Sequence, residues 1–184
     1  MKKPSRPRTG GGLRKAPAIA VIVEEPLWRK DASVLRLIRR AARLALTAPH
    51  PDPLSQRGKG GKGRGFTVLL TDDARLRALN AAFRGKDRPT NVLSFPATSG
   101  DGSSLGDIAI AYGVVAREAR AQGKSFAAHA AHLAAHGILH LLGYDHEKAS
   151  EAKVMEALER TILAKLSIAD PYAPRPYTGR RKAA

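Results

Sequence analysis

The chain shows two kinds of hydrophobic pattern. Short runs rich in β-branched residues predict strands, whereas apolar residues spaced three or four apart predict amphipathic helices. The predicted strands cover 19–23, 66–70, 91–95 and 106–112, and the predicted helices cover 31–47, the segment after Thr71, 114–122, 125–142 and 147–166. Strands mixed with helices, followed by helices alone, predict an α+β fold in which a small, mixed four-stranded sheet is packed with helices.

Residue types at the ends of these elements add detail. Thr71 is expected to cap the second helix, with Asp72 and Asp73 in its first turn, where the helix dipole favours carboxylates. The apolar run 16–23 closes on two glutamates and a proline without a small-residue cleavage site, which predicts a buried strand and not a signal peptide. No stretch approaches the roughly 18 consecutive apolar residues of a membrane-spanning helix, so no membrane partner is expected.

The length of 184 residues suits one domain of ordinary size. Residues 1–16 combine Pro, Gly and like charges, which predicts a basic disordered arm. Residues 17–168 contain all the predicted elements and form the expected single domain, and residues 169–184 form a basic, Pro-rich tail.

The charge distribution indicates a polyanionic partner. The chain has 32 Lys and Arg against 16 Asp and Glu, a net charge of +16. The arm 1–16, the loop 49–65 and the tail 169–184 carry net charges of +6, +3 and +3, so most of the excess lies outside the predicted elements. Such segments attract nucleic acid, with binding that weakens as salt rises. With four Tyr, four Phe and one Trp, no base-stacking platform is expected.

The chain has no cysteine, and five of its six histidines fall within eighteen residues. The lack of cysteine agrees with a reducing, cytoplasmic location and leaves His, Asp and Glu as metal ligands. His136 and His140 are four residues apart, so on a helix both imidazoles project from one face. Gly143 can end that helix in the left-handed conformation, after which the chain would return His146 to the same point.

Three neutral imidazoles without a thiolate favour one Zn²⁺ ion, with a fourth coordination position open to water. A closed, structural zinc would need a fourth protein ligand, for which Asp145 is the nearby candidate. His129 and His132 lie on the same helical stripe as His136. These two side chains could orient a metal ligand, bind RNA phosphate or simply pack in the core.

The histidine spacing matches the metzincin motif His-Glu-x-x-His-x-x-Gly-x-x-His except at one position. Gly137 stands where the metzincin peptidases have the glutamate that acts as general base. Because glycine has no side-chain proton acceptor, the pattern keeps the metal site but disfavours a peptidase.

The segment His136–His146, HGILHLLGYDH, resembles the signature of the YbeY family of bacterial endoribonucleases. Two further segments agree with that family, and the resemblance covers roughly residues 17–172. These segments are Leu79–Pro96, which includes Phe83-Arg84 and PTNVLSFP, and Leu105–Ile108, LGDI.

This resemblance implies a zinc site on His136, His140 and His146 and an arginine important for activity at Arg84. It implies a zinc-dependent endoribonuclease that cuts single-stranded RNA in 16S rRNA 3′-end maturation and ribosome quality control. Its partners would be small-subunit rRNA and the ribosome, and residues 17–168 would form one metal-dependent hydrolase domain.

Several alternatives remain open at this point. Arg84 could hold the scissile phosphate by two parallel hydrogen bonds or form a salt bridge with Asp87, three residues on. The attacking group could be water activated at the metal or the 2′-hydroxyl of the substrate. Two other function classes fit the pattern: a different metallohydrolase such as a peptidase, and a non-enzymatic ribosome assembly factor with a structural zinc.

Overall fold

The computed structural model describes residues 18–49, 65–97 and 104–173. The strands are β1 (Ile19–Val23), β2 (Gly65–Thr71), β3 (Val92–Pro96) and β4 (Ser104–Ala111). The helices are α1 (Ala32–Ala45), α2 (Asp73–Arg84), α3 (Tyr112–Ala121), α4 (Phe126–Leu141) and α5 (Ala149–Lys165). All the predicted strands and helices are confirmed, with small shifts at their ends, and so is the α+β fold.

Some predicted segments lie outside the described residues. These are the arm 1–16, residues 50–64 of the basic loop and the tail from 174 onward. Within the three described ranges, none of the helices has both the length and the apolar character needed to cross a membrane.

The sheet is mixed, with strand order β1-β2-β4-β3. Strands β1, β2 and β4 run parallel, and β3 is antiparallel to β4. The prediction that β1 is buried is wrong. As an edge strand paired only with β2, it alternates between half-buried and exposed residues, and Ile22 is 52% exposed.

The cap of α2 is Asp72 and not Thr71, so this prediction is wrong by one residue. The Asp72 carboxylate accepts a hydrogen bond from the backbone N–H of Arg75 at 2.7 Å. Thr71 is instead the last residue of β2, where it pairs with Ala111, and its hydroxyl donates to Glu24 at 2.9 Å. Strand pairing therefore moves the start of the helix one position along the chain.

Helices cover both faces of the sheet. Ile108 and Ile110 of β4 face the main core with α1, α4 and α5, whereas Ala109 and Ala111 face Leu76 of α2. The central helix is α4, which packs on α1, α3, α5 and the strands β3 and β4. It is buried on nearly all sides: after its first three residues, its only positions that are not buried are His132, His136 and His140.

Gly137 allows α4 to lie close to the sheet. A Cβ at this position would come within 3.1 Å of Ile108, 3.2 Å of Ser94 and 3.3 Å of Val92. The Ser94 hydroxyl also donates to the carbonyl oxygen of Gly137 at 3.1 Å. A longer side chain here, such as the glutamate of the metzincin motif, would enter the core and could not reach the face that carries the histidines.

Candidate metal centre

The structure brings His136, His140 and His146 together. The rings of His136 and His140 project from successive turns of α4 with centroids 4.7 Å apart. The ring of His146 stacks on that of His136 at 5.3 Å between centroids. One nitrogen from each ring lies within 4.8 Å of the other two, which is the arrangement that can hold one metal ion.

The C-terminal end of α4 is what returns His146 to this point. Gly143 has a φ of 89°, a left-handed conformation that glycine adopts at low cost. The N–H of Gly143 donates to the carbonyl oxygen of His140 at 2.9 Å, and that of Tyr144 donates to Leu139 at 3.0 Å. This pair of bonds is a Schellman motif, which closes the helix and reverses the chain as the glycine predicted.

Hydrogen bonds determine which nitrogens of His136 and His140 face each other. Nδ1 of His136 lies 2.8 Å from Oε1 of Glu159, and Nδ1 of His140 lies 3.0 Å from the carbonyl oxygen of Tyr144. A carboxylate and a carbonyl group only accept, so both Nδ1 atoms carry the proton. In the neutral rings, both Nε2 atoms therefore keep a lone pair.

The two Nε2 atoms lie 3.1 Å apart. Two nitrogens at the bond length of a tetrahedral zinc ion lie about 3.3 Å apart. Lone pairs at this separation repel each other unless they share a cation, so the donor set fits a zinc ion by its chemistry and its spacing.

The protonation state of His140 agrees with a ligand role. Burial, followed by the neighbouring His136 and His146, lowers the pKa of His140 to about 4. Its imidazole is therefore neutral at pH 7, the form that binds metal.

Glu159 of α5 is the residue that sequence reasoning missed. Its side chain is 1% exposed and contacts Nε2 of His132 at 2.6 Å as well as Nδ1 of His136, and the Tyr172 hydroxyl also donates to it. Burial acts to raise the pKa of Glu159, but the hydrogen bonds from His132 and His136 outweigh it and hold this pKa well below the usual range. A signal was present, because Glu159 occupies the same apolar stripe of α5 as Met155.

The other predicted residues of this cluster lie around the three histidines. His132 reaches His136 through the carboxylate of Glu159, and buried His129 instead contacts Glu118 at 2.8 Å. Asp145 is exposed and accepts from the backbone N–H of His146 at 2.8 Å. In the described part of the chain, no carboxylate joins the three imidazoles as a fourth ligand.

Arg84 lies at the C-terminal end of α2, a helix whose buried residue Leu76 packs on the opposite face of the sheet from α4. The predicted alternative of an Arg84–Asp87 salt bridge is wrong, because Asp87 forms two hydrogen bonds with Arg77 at 2.6 and 2.7 Å. Asp87 pairs with Arg77 and not with Arg84 because the chain folds back after α2 and brings Asp87 beside Arg77. Arg84 is exposed, and no residue within 18–49, 65–97 and 104–173 forms an ion pair with it.

A small cleft of about 210 Å³ opens beside His136 and His146. His136, Glu159 and Tyr172 form part of its wall. The site is therefore open on one side, as a reaction centre must be for a substrate to enter.

Comparison with known proteins identifies the family. A family model described as Endoribonuclease YbeY matches residues 52–167. The chain belongs to the YbeY family. It is 49% identical over 163 residues to Endoribonuclease YbeY of Rhodopseudomonas palustris strain CGA009, covering 85% of this chain and 82% of that protein.

Other similar proteins agree with the YbeY assignment. Endoribonuclease YbeY of Nitrobacter winogradskyi is 46% identical over 186 residues, covering 94% of each chain. The solution structure of TM1509 from Thermotoga maritima matches 85% of this chain and 99% of its own with a TM-score of 0.51 and 24% identity. This last likeness supports the fold.

Proposed function

We propose that this YbeY-family protein is a zinc-dependent endoribonuclease specific for single-stranded RNA. We further propose that it is cytoplasmic and acts in 16S rRNA 3′-end maturation and ribosome quality control, with small-subunit rRNA and the ribosome as partners. The observation that carries the activity is the convergence of His136, His140 and His146 beside an open cleft, which His136 and His146 line.

The donor set supports zinc as the single cofactor. Three imidazoles, with neither a thiolate nor a carboxylate as fourth ligand among the described residues, are typical of a catalytic zinc site and not of a closed structural one. When bound, zinc would polarise a phosphate oxygen and lower the pKa of a coordinated water. Glu159 would orient His136 for this role, and the carbonyl oxygen of Tyr144 would orient His140.

Arg84 is proposed to bind the scissile phosphate. Its guanidinium is exposed and unpaired within the described residues, so both of its N–H edges can donate to phosphate oxygens. Negative charge grows on these oxygens during cleavage, and a fixed cation lowers that barrier.

The position of Gly137 disfavours a peptidase. The metzincin general base has no counterpart here, and the packing around Gly137 leaves no room for one. An RNA substrate can supply its own nucleophile as a 2′-hydroxyl, so an enzyme without this base can still cleave it.

The proposed function is tested by incubating pure, metal-analysed protein with single-stranded RNA, with the same RNA as a duplex and with a set of peptides. We expect EDTA-sensitive cleavage of the single strand only, and none by the His140→Ala variant prepared in parallel. That variant also controls for contaminating nuclease.

Each competing function has its own outcome in this experiment. EDTA-sensitive peptide cleavage with intact RNA would indicate a different metallohydrolase. If neither protein cleaves RNA or peptide, and both co-sediment with ribosomes in a parallel assay, the result would indicate an assembly factor with a structural zinc. Products that end in a 2′,3′-cyclic phosphate would assign the attack to the 2′-hydroxyl, and products with a 5′-monophosphate and a 3′-hydroxyl would assign it to water.

A further inference from the structure

Phe83, near the C-terminal end of α2, is the most exposed large apolar side chain in the described residues. It is 68% exposed. A phenyl ring left in water forfeits the stabilisation that burial would provide.

The ring of Phe83 is nevertheless held in place. Its centroid lies 5.1 Å from that of Phe95 on β3, with an angle of 68° between the ring planes. This edge-to-face contact is a favoured aromatic geometry and leaves most of the Phe83 ring open. The chain thus presents a fixed aromatic surface to solvent.

The surroundings of Phe83 are positively charged. Arg84, Lys86 and Arg88 are all exposed, and none of them forms an ion pair with any residue that the structure describes. The one acidic side chain in this segment, Asp87, is neutralised by its two hydrogen bonds to Arg77. An aromatic ring beside unpaired cations is complementary to a base and its phosphate.

The strand β3 links this patch to the metal centre. Phe95 contacts Phe83 on one face of the sheet, and its neighbour Ser94 donates to Gly137, beside His136, on the other face. Because β3 is an edge strand, a chain bound along its open side would pass from Phe83 to the histidines without crossing the sheet.

We propose that Phe83 stacks against an unpaired base of single-stranded RNA while Arg84 binds the adjoining phosphate. This inference rests on the proposed function and adds the residue that favours single strands: in a duplex, both faces of each base are already stacked. The low number of aromatic residues in the sequence predicted no base-stacking platform. The position of the Phe83 ring makes it a candidate for stacking against a single base.

Equilibrium binding of a fluorescent single-stranded RNA to the full-length protein tests the proposal. Phe83→Leu should weaken binding by about 5- to 150-fold, the range for loss of one stacked base, and Phe83→Tyr should bind like the wild type. Ile22→Ala is the matched control, because Ile22 is an exposed apolar residue on the opposite edge strand. The titrations contain EDTA, which should block cleavage, and the RNA is checked on a gel for integrity after each one.

The salt dependence separates stacking from charge. Phe83→Leu should leave the slope of log affinity against log salt unchanged, whereas Arg88→Ala should reduce it by about 0.7. In the Phe83→Trp variant, single-stranded RNA should quench the fluorescence of the introduced tryptophan, and duplex RNA should not. The fluorescence of Trp28, which is buried, should stay constant in both cases. This readout also holds if Phe83→Leu folds poorly.

The outcomes are distinct. If the wild type binds single-stranded RNA but Phe83→Leu binds equally well, or RNA leaves Phe83→Trp unquenched, the inference is overturned and the proposed function stands. If the wild type neither binds nor cuts single-stranded RNA, the proposed function itself fails.

Discussion

The buried carboxylate of Glu159 lies 2.8 Å from Nδ1 of His136 and so presents the opposite nitrogen of that ring to the metal centre. Glu159 also accepts from His132, so its carboxylate joins two histidines of helix α4. Carboxylate–histidine pairs of this kind fix the tautomer and orientation of a ligand and raise its basicity.

Replacing Glu159 with glutamine should weaken zinc binding by about 10- to 100-fold. His136 donates to Oε1 of Glu159 and His132 to Oε2, and in glutamine one of these two oxygens becomes an NH₂ group, which cannot accept. Competition with a chromophoric chelator measures the affinity, and Glu151→Gln is the control, because Glu151 is an acid of the same helix that pairs with Lys148. Equal zinc affinity in Glu159→Gln and the wild type would remove Glu159 from this role.

Replacing Arg84 with lysine should lower the rate of RNA cleavage by about tenfold or more while the zinc content stays full. Lysine keeps the charge but not the two parallel hydrogen bonds to phosphate. The rate is compared with that of Arg75→Lys, which changes another exposed arginine on α2. An unchanged rate for Arg84→Lys would show that Arg84 has no part in the reaction.

Replacing Gly137 with alanine should destabilise the protein. Alanine favours a helix by about 1 kcal/mol over glycine, but overpacking against Ile108, Ser94 and Val92 costs about 1–3 kcal/mol. The expected net change in the free energy of unfolding is therefore a loss of up to about 2 kcal/mol, measured by urea denaturation. A gain in stability would mean that helix α4 has room to move away from the sheet.

The basic arm 1–16 should contribute to affinity for RNA or the ribosome more than to turnover. This arm carries a net charge of +6, and each phosphate contact that it makes steepens the salt dependence of binding. We expect deletion of the arm to flatten that dependence and to leave the maximal cleavage rate nearly unchanged. Substituting its six basic residues with glutamine at constant length is the matched control, and an unaltered salt slope would contradict the prediction.

The pH dependence of stability should report on His129. Burial is the largest cause that lowers its pKa, and it outweighs the opposing effect of the hydrogen bond that the ring donates to Glu118. As the pH falls, this residue is therefore protonated in the unfolded chain at a higher pH than in the folded chain. The free energy of unfolding then decreases as the pH drops below about 6.5. Each group of this kind contributes at most about 1.4 kcal/mol per pH unit.

The His129→Gln variant isolates this contribution, because glutamine can still donate to Glu118 but does not titrate. Denaturation in EDTA at pH 7.5 and 5.5 should show a smaller loss of stability in the variant than in the wild type. Identical losses would mean that His129 titrates alike in the folded and unfolded chain.

Local features of this protein are visible in its amino-acid pattern. The four-residue step between His136 and His140 places two imidazoles on one face, and Gly143 marks the left-handed end of the helix that returns His146. Both features can be predicted because they depend only on the geometry of one helix and its terminus. The same periodicity located the strands and helices.

Long-range partners came from packing instead. Glu159 meets His136 across 23 positions of the chain, and Asp87 pairs with Arg77 and not with the nearer Arg84. The placement of Phe83 near the edge strand has the same origin. Such pairings depend on how α4, α5 and the sheet pack together. Helical and strand periodicity indicate which face of an element is apolar, but they do not indicate which distant residue will contact that face.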